Sequence, residues 1–591
     1  MPGNIAGLIA VFAVMAGVLA LIPVLGYIYS LNSIKSRTVG DGQHGMARFA
    51  SRAEEKKAFK EVLYSPGLWR EGKALPVVQG IIVGCKERGG KTFALVEDGD
   101  LHAMMMAATG TGKTTFFLYP NLEYACASGM SFLATDTKGD LVRWYGKIAG
   151  QYYGYRVAHI DLRNPARSHG SNMIHLVNKY MDKAIAAGDI AAQAKAERFA
   201  KITAKTIISD GTDNAAYGQN AFFYDAAEGL VTAAVLLVSE FAEEGERHII
   251  SVFKLIQELL APSGVKGKNR FQLLMDLLPD DHKAKWFAGA ALNTAEQAML
   301  SVMSTALSRL NAFLDSELEQ VLCFDTEVDA EVFCKEKCAL FITMPEEDPS
   351  KFFLVSLVIQ QLAREILSVA DELGGRLNNR VMFYCEEMGT LPAISSAEML
   401  FSAARSRMLS IVAIVQSHMQ MVKNYGQEGA NIIMDNCGLF IAGGFAPSSD
   451  SADLVSKALG SRTVMSGSVS RGIRDPSQSL QMMERPLMTA DELRTMPKGR
   501  FIVMKIGQHP ILAKLKLYFK WGIAFDGPPF ELPDKSARRV AYVSKARIEA
   551  AIMKKYPQKA GSAPEEGPAA DKKDRGVTSD MREKPQHRLR T

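Results

Sequence analysis

The sequence predicts an α/β fold: a mostly parallel sheet, interrupted by an all-α insertion and preceded by one apolar N-terminal helix. Three observations predict it. An apolar run, His102–Ala108, leads into a Gly/Thr-rich loop and then a helix, within "AATGTGKTTFFLYPNL" at 107–122. Other apolar runs of strand length alternate with helical patterns on both sides of the chain's middle, as a parallel sheet requires. Between them, from about 179 to 325, apolar residues recur almost throughout at helical spacing.

Taken in order, residues 1–34 carry no charged side chain, and Ile5–Ile28 is nearly all apolar. A bilayer needs about 20 apolar residues, so the run fits one transmembrane helix and not two, with Pro23 tolerated as a kink. A cleaved signal peptide is the rival reading; the stretch lacks a basic leader and is longer than an h-region of about 7–15 residues. Lys35, Arg37, Arg48 and Arg52 follow at once, which places the downstream body in the cytoplasm. The expectation is a single-pass cell-membrane protein, bulk cytoplasmic, with residues 1–34 as its anchor.

Residues 35–178 read as the first part of a nucleotide-binding domain. His44–Phe59 is a linker ending in a helix, residues 75–106 are short strands, and Ser131–Asp136 and Tyr155–Asp161 are further strands. Residues 179–325 read as the all-α domain. Strands return in 326–533, the second part: Cys338–Met344, Asn379–Glu387, Leu409–Gln416, Gly438–Gly444, Arg500–Gly507 and Ala513–Phe519, with helices at Phe352–Leu373 and around Ser396–Arg407. Residues 534–591 hold 15 Lys/Arg against 8 Asp/Glu while the whole chain is only +5. The basicity therefore sits in this tail, a helix-like piece to about Tyr556 and then a largely disordered remainder. Cys334 and Cys338 have no second Cys/His pair nearby, so the seven cysteines read as reduced thiols and not as a metal site.

The loop carries the chemistry. In Thr109, Gly110, Thr111, Gly112, Lys113, Thr114 and Thr115, backbone N–H groups at a helix N-terminus would cradle phosphates, Lys113 would neutralise their charge and the Thr114 hydroxyl would hold Mg²⁺. The pattern asks for Gly where this chain has Ala107. A second carboxylate site should end a buried strand, and "VMFYCEE" supplies it. Glu386 is assigned to the Mg²⁺ shell and Glu387 to the general base that polarises the attacking water. Gln416 ends another strand and reads as a γ-phosphate sensor. Arg405 and Arg407 precede that strand; an Arg reaching across a subunit boundary can stabilise transition-state charge, and Arg407 reads instead as a solvated helix face.

With these residues placed, the chain resembles the VirD4/TraG-type coupling proteins of type IV secretion and conjugation. The resemblance rests on "HGMARFA", the Walker A stretch above, "ATDTKGDL", the Walker B-like "FYCEEMGTLP", "QSHMQMVKNYG", "SKALGSRTV" and "RPLMTADELRTMPKGRFIVM", in the family's order. It implies a RecA-like P-loop motor domain with an inserted all-α domain, hydrolysing ATP with Mg²⁺ as a homo-hexamer at the membrane. It also implies a relaxase–DNA complex, single-stranded DNA and type IV secretion channel proteins as partners, with Arg405 reaching the neighbouring subunit's nucleotide. Three departures stand out: Ala107, Glu386 where the family has Asp, and room for one membrane helix where relatives have two. A coupling ATPase for protein effectors only, and a nucleotide-gated docking scaffold, are the alternative functions.

Overall fold

Apolar runs that cannot face water on either side build the centre of the molecule. The computed structural model describes residues 3–34, 42–209, 218, 220–265, 268–345, 348–394, 397–471, 476–536 and 538–557. Its strands are β1 (Lys60–Leu63), β2 (Ile81–Arg88), β3 (Lys91–Glu97), β4 (Ala103–Met106), β5 (Ser131–Asp136), β6 (Arg156–Asp161), β7 (Cys338–Thr343), β8 (Val381–Cys385), β9 (Leu409–Val415), β10 (Leu439–Ala442), β11 (Ser461–Arg471), β12 (Pro476–Pro486), β13 (Arg500–Lys505) and β14 (Ile511–Lys514). Nine of them form one sheet in the order β14-β13-β10-β4-β9-β8-β5-β7-β6. From β10 to β6 all neighbours are parallel, while β13 and β14 add an antiparallel edge. Every residue of β4, β5, β7, β8, β9 and β10 is buried, because helices cover both faces of a parallel sheet.

One order matters most for function. Strands β4, β9, β8 and β5 are consecutive neighbours in the sheet. Being parallel, they bring four carboxyl ends to the same edge, about 5 Å apart from strand to strand. A small antiparallel sheet, β1-β3-β2, lies N-terminal to them in the chain. Its β2 is held by Asn121, whose side chain accepts from Ile82 N at 2.8 Å and donates to the Ile82 carbonyl at 3.2 Å.

Between β6 and β7, which pair directly in the sheet, the described chain is helical, from His175–Ala187 to Ala330–Lys335. Ala221–Phe241 and Phe352–Glu372 are apolar enough to cross a membrane, but most of each lies buried inside the protein, so both are core helices. Gly3–Ile34 is one continuous helix with Pro23 inside it, and its apolar side chains from Val11 to Leu25 stand exposed.

One expectation is corrected. Ala513–Phe519 is not one strand: β14 ends at Lys514, and Tyr518–Trp521 turns to seat Trp521 against Tyr64. The helix-like piece expected up to about Tyr556 is the helix Lys545–Lys555. The segment up to Tyr556 lies along the helical region through Tyr542–Glu319, Lys555–Glu240 and Arg547–Glu246 contacts and buries Val543, Ile548 and Ile552. The disorder expected of the remainder, 558–591, lies outside the described residues. All seven cysteines are buried and unpaired; burial pushes the Cys334 and Cys338 thiols up to about 12.

Candidate functional site

The loop after β4 answers the question that Ala107 raises. Ala107 is fully buried, its N–H donates to the Val415 carbonyl at 3.1 Å, and its φ is not positive. A Cβ fits there, so this loop does not need Gly at that position. The glycines it keeps are needed. Gly110 and Gly112 have φ of +76° and +89°, and a Cβ on Gly112 would come within 2.6 Å of the Phe116 ring. Lys113 opens the next helix, whose first turns are widened, and Pro120 sits in the first regular turn of its continuation.

The loop forms one wall of a cleft of about 610 Å³, lined by Thr109, Gly110, Gly112, Lys113, Thr114 and Thr115 and, from the other strands, by Asp136, Glu386, Glu387 and Gln416. The side chains interlock. Lys113 Nζ donates to the Ala107 carbonyl at 3.0 Å and lies 3.7 Å from Glu387 Oε1. Gln416 Nε2 donates to Glu387 Oε2 at 2.8 Å, and Thr109 Oγ1 donates to Gln416 Oε1 at 2.8 Å. Thr114 Oγ1 donates to Glu386 Oε1 at 2.5 Å. Thr111 caps the loop by donating to the Ala108 carbonyl at 2.6 Å.

Electrostatics follow from the crowding. Burial pushes the Glu386 carboxyl up to about 7; the Thr114 hydrogen bond opposes this, and Asp136 and Glu387 add to it. Glu386 is further fixed by Thr135, whose hydroxyl donates to its carbonyl at 2.8 Å. Glu387 sits just past the strand at φ +54°, a conformation rare for a residue with a side chain. The turn is held by Thr390, whose N–H and hydroxyl both donate to the Glu387 carbonyl. Strain of this kind, locked by neighbours, gathers at working sites.

A hydroxyl and a carboxylate in contact, with more carboxylates near, make an oxygen donor set. Among the described residues no three His, Cys, Asp or Glu side chains make a ready cage for an ion. Such oxygen donors could hold Mg²⁺, which keeps waters and shares phosphate oxygens.

Sequence reasoning assigned no role to Asp136, although it ends an apolar strand as Glu386 does. Its carboxylate accepts from Lys138 N at 2.9 Å and Leu141 N at 2.6 Å, and burial raises its pKa against those bonds. It thus shapes the turn that brings Lys138 and Asp140 to the cleft.

Arg405 is not brought to this cleft. It is exposed, in a short turn before β9, at the sheet edge opposite Gln416. Its charge is felt instead by His102 before β4, whose imidazole burial pushes down to about 4 with Arg405 adding to the shift. Arg407 pairs with Asp371 at 3.0 Å.

Comparisons with known proteins agree with this architecture. The model of the family "Type IV secretory system Conjugative DNA transfer" matches residues 62–554. The conjugal transfer protein TraG of Escherichia coli is 22% identical over 530 residues, covering 81% of this chain and 76% of that protein. The type IV secretion system-coupling protein VirD4 of Bartonella henselae is 22% identical over 306 residues, 51% of this chain; the match spans about half of that relative, 46% of its length. Among solved structures, the unbound bacterial conjugative coupling protein TrwBdeltaN70 shares the fold, with a TM-score of 0.51 at 16% identity, covering 81% of this chain and 97% of that one. The chain belongs to the type IV secretory system conjugative DNA transfer family.

Proposed function

We propose that the protein is a membrane-anchored ATPase that couples relaxase–DNA substrates to a type IV secretion channel and drives their transfer by ATP hydrolysis. The observation that carries this reading is the cleft at the carboxyl ends of β4, β9, β8 and β5. There a phosphate loop meets two adjacent glutamates and a glutamine within hydrogen-bonding reach. Backbone N–H groups of Thr109–Thr115 would bind the phosphates, and Lys113 would leave the Ala107 carbonyl for them. Thr114 and Glu386 would hold Mg²⁺, which when bound neutralises charge on the phosphate oxygens. Glu387, held by Gln416 and by its own strained turn, would take the proton of the attacking water. Gln416 would sense the outer phosphate.

Arg405 lies too far from its own cleft to act there, which supports a role at a neighbour's cleft in a homo-hexamer. The exposed apolar face of Gly3–Ile34 supports a membrane anchor. We assign 35–178 and 326–533 to the nucleotide-binding domain, and 179–325 to an all-α domain that meets incoming substrate. Family membership supports DNA as the cargo. The test is DNA transfer and DNA-stimulated ATP hydrolysis by Lys113→Ala. Loss of both is expected, and normal transfer by that variant overturns the reading.

A further inference from the structure

Between β10 and β13 the chain makes a long excursion, 443–499, that carries the β11–β12 ribbon. Both ends of this excursion grip the phosphate loop. At its start, the Gly444 carbonyl accepts from Ala108 N at 2.8 Å. Gly444, at φ +70°, lies so close to Thr111 that a Cβ would meet the Thr111 side chain at 2.4 Å. At its end, Lys498 Nζ donates to the Gly110 carbonyl at 3.2 Å, and a Cβ on Gly499 would come within 2.9 Å of the Phe116 ring. The two ends are also tied to each other. Arg494 pairs with Asp453 at 2.8 Å, Ser456 donates to the Met488 carbonyl at 2.6 Å, and Leu487 N donates to the Gly460 carbonyl at 2.9 Å.

The far side of the excursion is bonded to residues 44–47, ten residues beyond the end of the N-terminal helix at Ile34. Ala47 N donates to the Ser461 carbonyl at 3.0 Å, and Thr463 N donates to the Gly45 carbonyl at 3.1 Å. His44 N donates to Thr463 Oγ1 at 2.9 Å. Gly45 is required by the approach: its φ is +127°, and a Cβ would meet the Ser461 carbonyl oxygen at 2.2 Å. Hydrogen bonds and close contacts, joined by the chain of the excursion, therefore link the apex of the phosphate loop to residues 44–47.

We propose that Lys498 is a positioning residue for the nucleotide, and that through it and Gly444 the excursion carries the occupancy of the loop to residues 44–47. Lys498 holds the apex peptide of the loop, beside the bond that Thr111 makes to Ala108. It also sets a positive charge beside a cleft in which Asp136, Asp140, Glu386 and Glu387 outnumber Lys113 and Lys138. By holding that peptide, Lys498 keeps the loop in the shape that a di- or triphosphate would bind, and bound phosphate would stiffen it further with the Lys498 bond kept. Lys498 and Thr111 pass that stiffening to a clamp closed at its base, and the clamp ends on the backbone of residues 44–47. The inference rests on the nucleotide reading above.

The test uses the full chain in lipid nanodiscs, with Mg²⁺-ADP and a non-hydrolysable ATP analogue as probes. Lys498 is exposed, so Lys498→Ala leaves the fold in place. Its expected effect is nucleotide binding about 5- to 20-fold weaker and a KM raised to match, with kcat within about twofold, because one charge-assisted hydrogen bond is lost. Lys498→Arg, which restores the donor, should recover affinity. Amide exchange at 461–466 and 44–47 should slow when nucleotide binds the wild type and not respond in Lys498→Ala. Affinity within about twofold of wild type in Lys498→Ala overturns the positioning role. Exchange at 44–47 that ignores nucleotide in the wild type overturns the coupling. A folded wild type that binds no nucleotide overturns the nucleotide reading, and this inference with it.

Discussion

At the scale of single residues, the cleft divides its work between two neighbours that differ in surroundings. Glu386 is buried, touches Thr114 and is pushed up to about 7 by that burial. Glu387 faces the cleft and takes one oxygen to Gln416 and the other toward Lys113. Glu387→Gln keeps the shape and removes the proposed base, so it should bind ATP like wild type and turn over about 10²- to 10⁴-fold more slowly, read by steady-state hydrolysis. Away from the cleft, Arg70 makes paired hydrogen bonds to the fully buried Glu123 at 2.9 and 2.7 Å, and the Tyr153 hydroxyl donates to the same carboxylate. Arg70→Met strands that carboxylate. The expected cost is about 3–5 kcal/mol, measured by denaturant unfolding followed through tryptophan fluorescence.

At the scale of elements, legibility in the sequence tracked burial. Ser131–Asp136 is the strand that its apolar run predicts, and β7, β8 and β9 fall within a residue or two of their runs. Strands buried on both faces need continuous apolar sequence, which leaves a plain trace. The β11–β12 ribbon left none. Its sequence, "SRTVMSGSVSR" against "PSQSLQMMERP", is polar, and its pairing is stabilised by backbone bonds that no side-chain pattern records. The segment Ser544–Tyr556 was legible as a helix, but not its seat, which depends on acids far away in the chain. Ending the chain at 533 should lower the melting temperature and speed amide exchange in Ile249–Leu259. Ending it at 557 should leave both unchanged, because the contacts with Ser251 and Glu258 remain.

The helix His175–Ala187 gives a pH prediction. Burial lowers the His175 pKa, but Asp325 and Asp329 more than offset this and hold it at about 9 against an ordinary 6.5. A raised histidine stabilises fully below 6.5 and loses that contribution as pH climbs through 9. Glu365, buried in the same cavity and pushed up to about 7 from 4.5, acts in the same direction at lower pH: its neutral form suits the folded state, and stability falls as it ionises. Lys179 and Glu331 also face Asp329 and Lys179 respectively, and Asp329 itself is held well below its usual range, so it titrates outside this window. Thermal stability should therefore decline from pH 6.5 to 9, and His175→Gln should flatten that decline.

At the scale of the whole molecule, the site is composite. The Lys113, Glu386, Glu387 and Gln416 grouping was legible because each residue ends or follows an apolar strand, and parallel strands deliver such ends to one edge. Asp136 carried the same signal. Lys498 carried none, since a lysine in a polar loop has no periodicity to betray it. Arg405 stands at the opposite edge, before β9 and not after it. A chain alone thus lacks an arginine at its own cleft from this position, and in the proposed hexamer a neighbour would bring it. Mixing Arg405→Ala with Lys113→Ala, each inactive alone, should restore part of the activity, because one partner supplies an intact cleft and the other an intact arginine. The most direct measurement is ATP hydrolysis per chain against protein concentration, with and without single-stranded DNA. A steep rise with concentration, stimulation by DNA and no activity in Lys113→Ala are expected. A rate per chain that is flat in concentration and indifferent to DNA would contradict the proposed function.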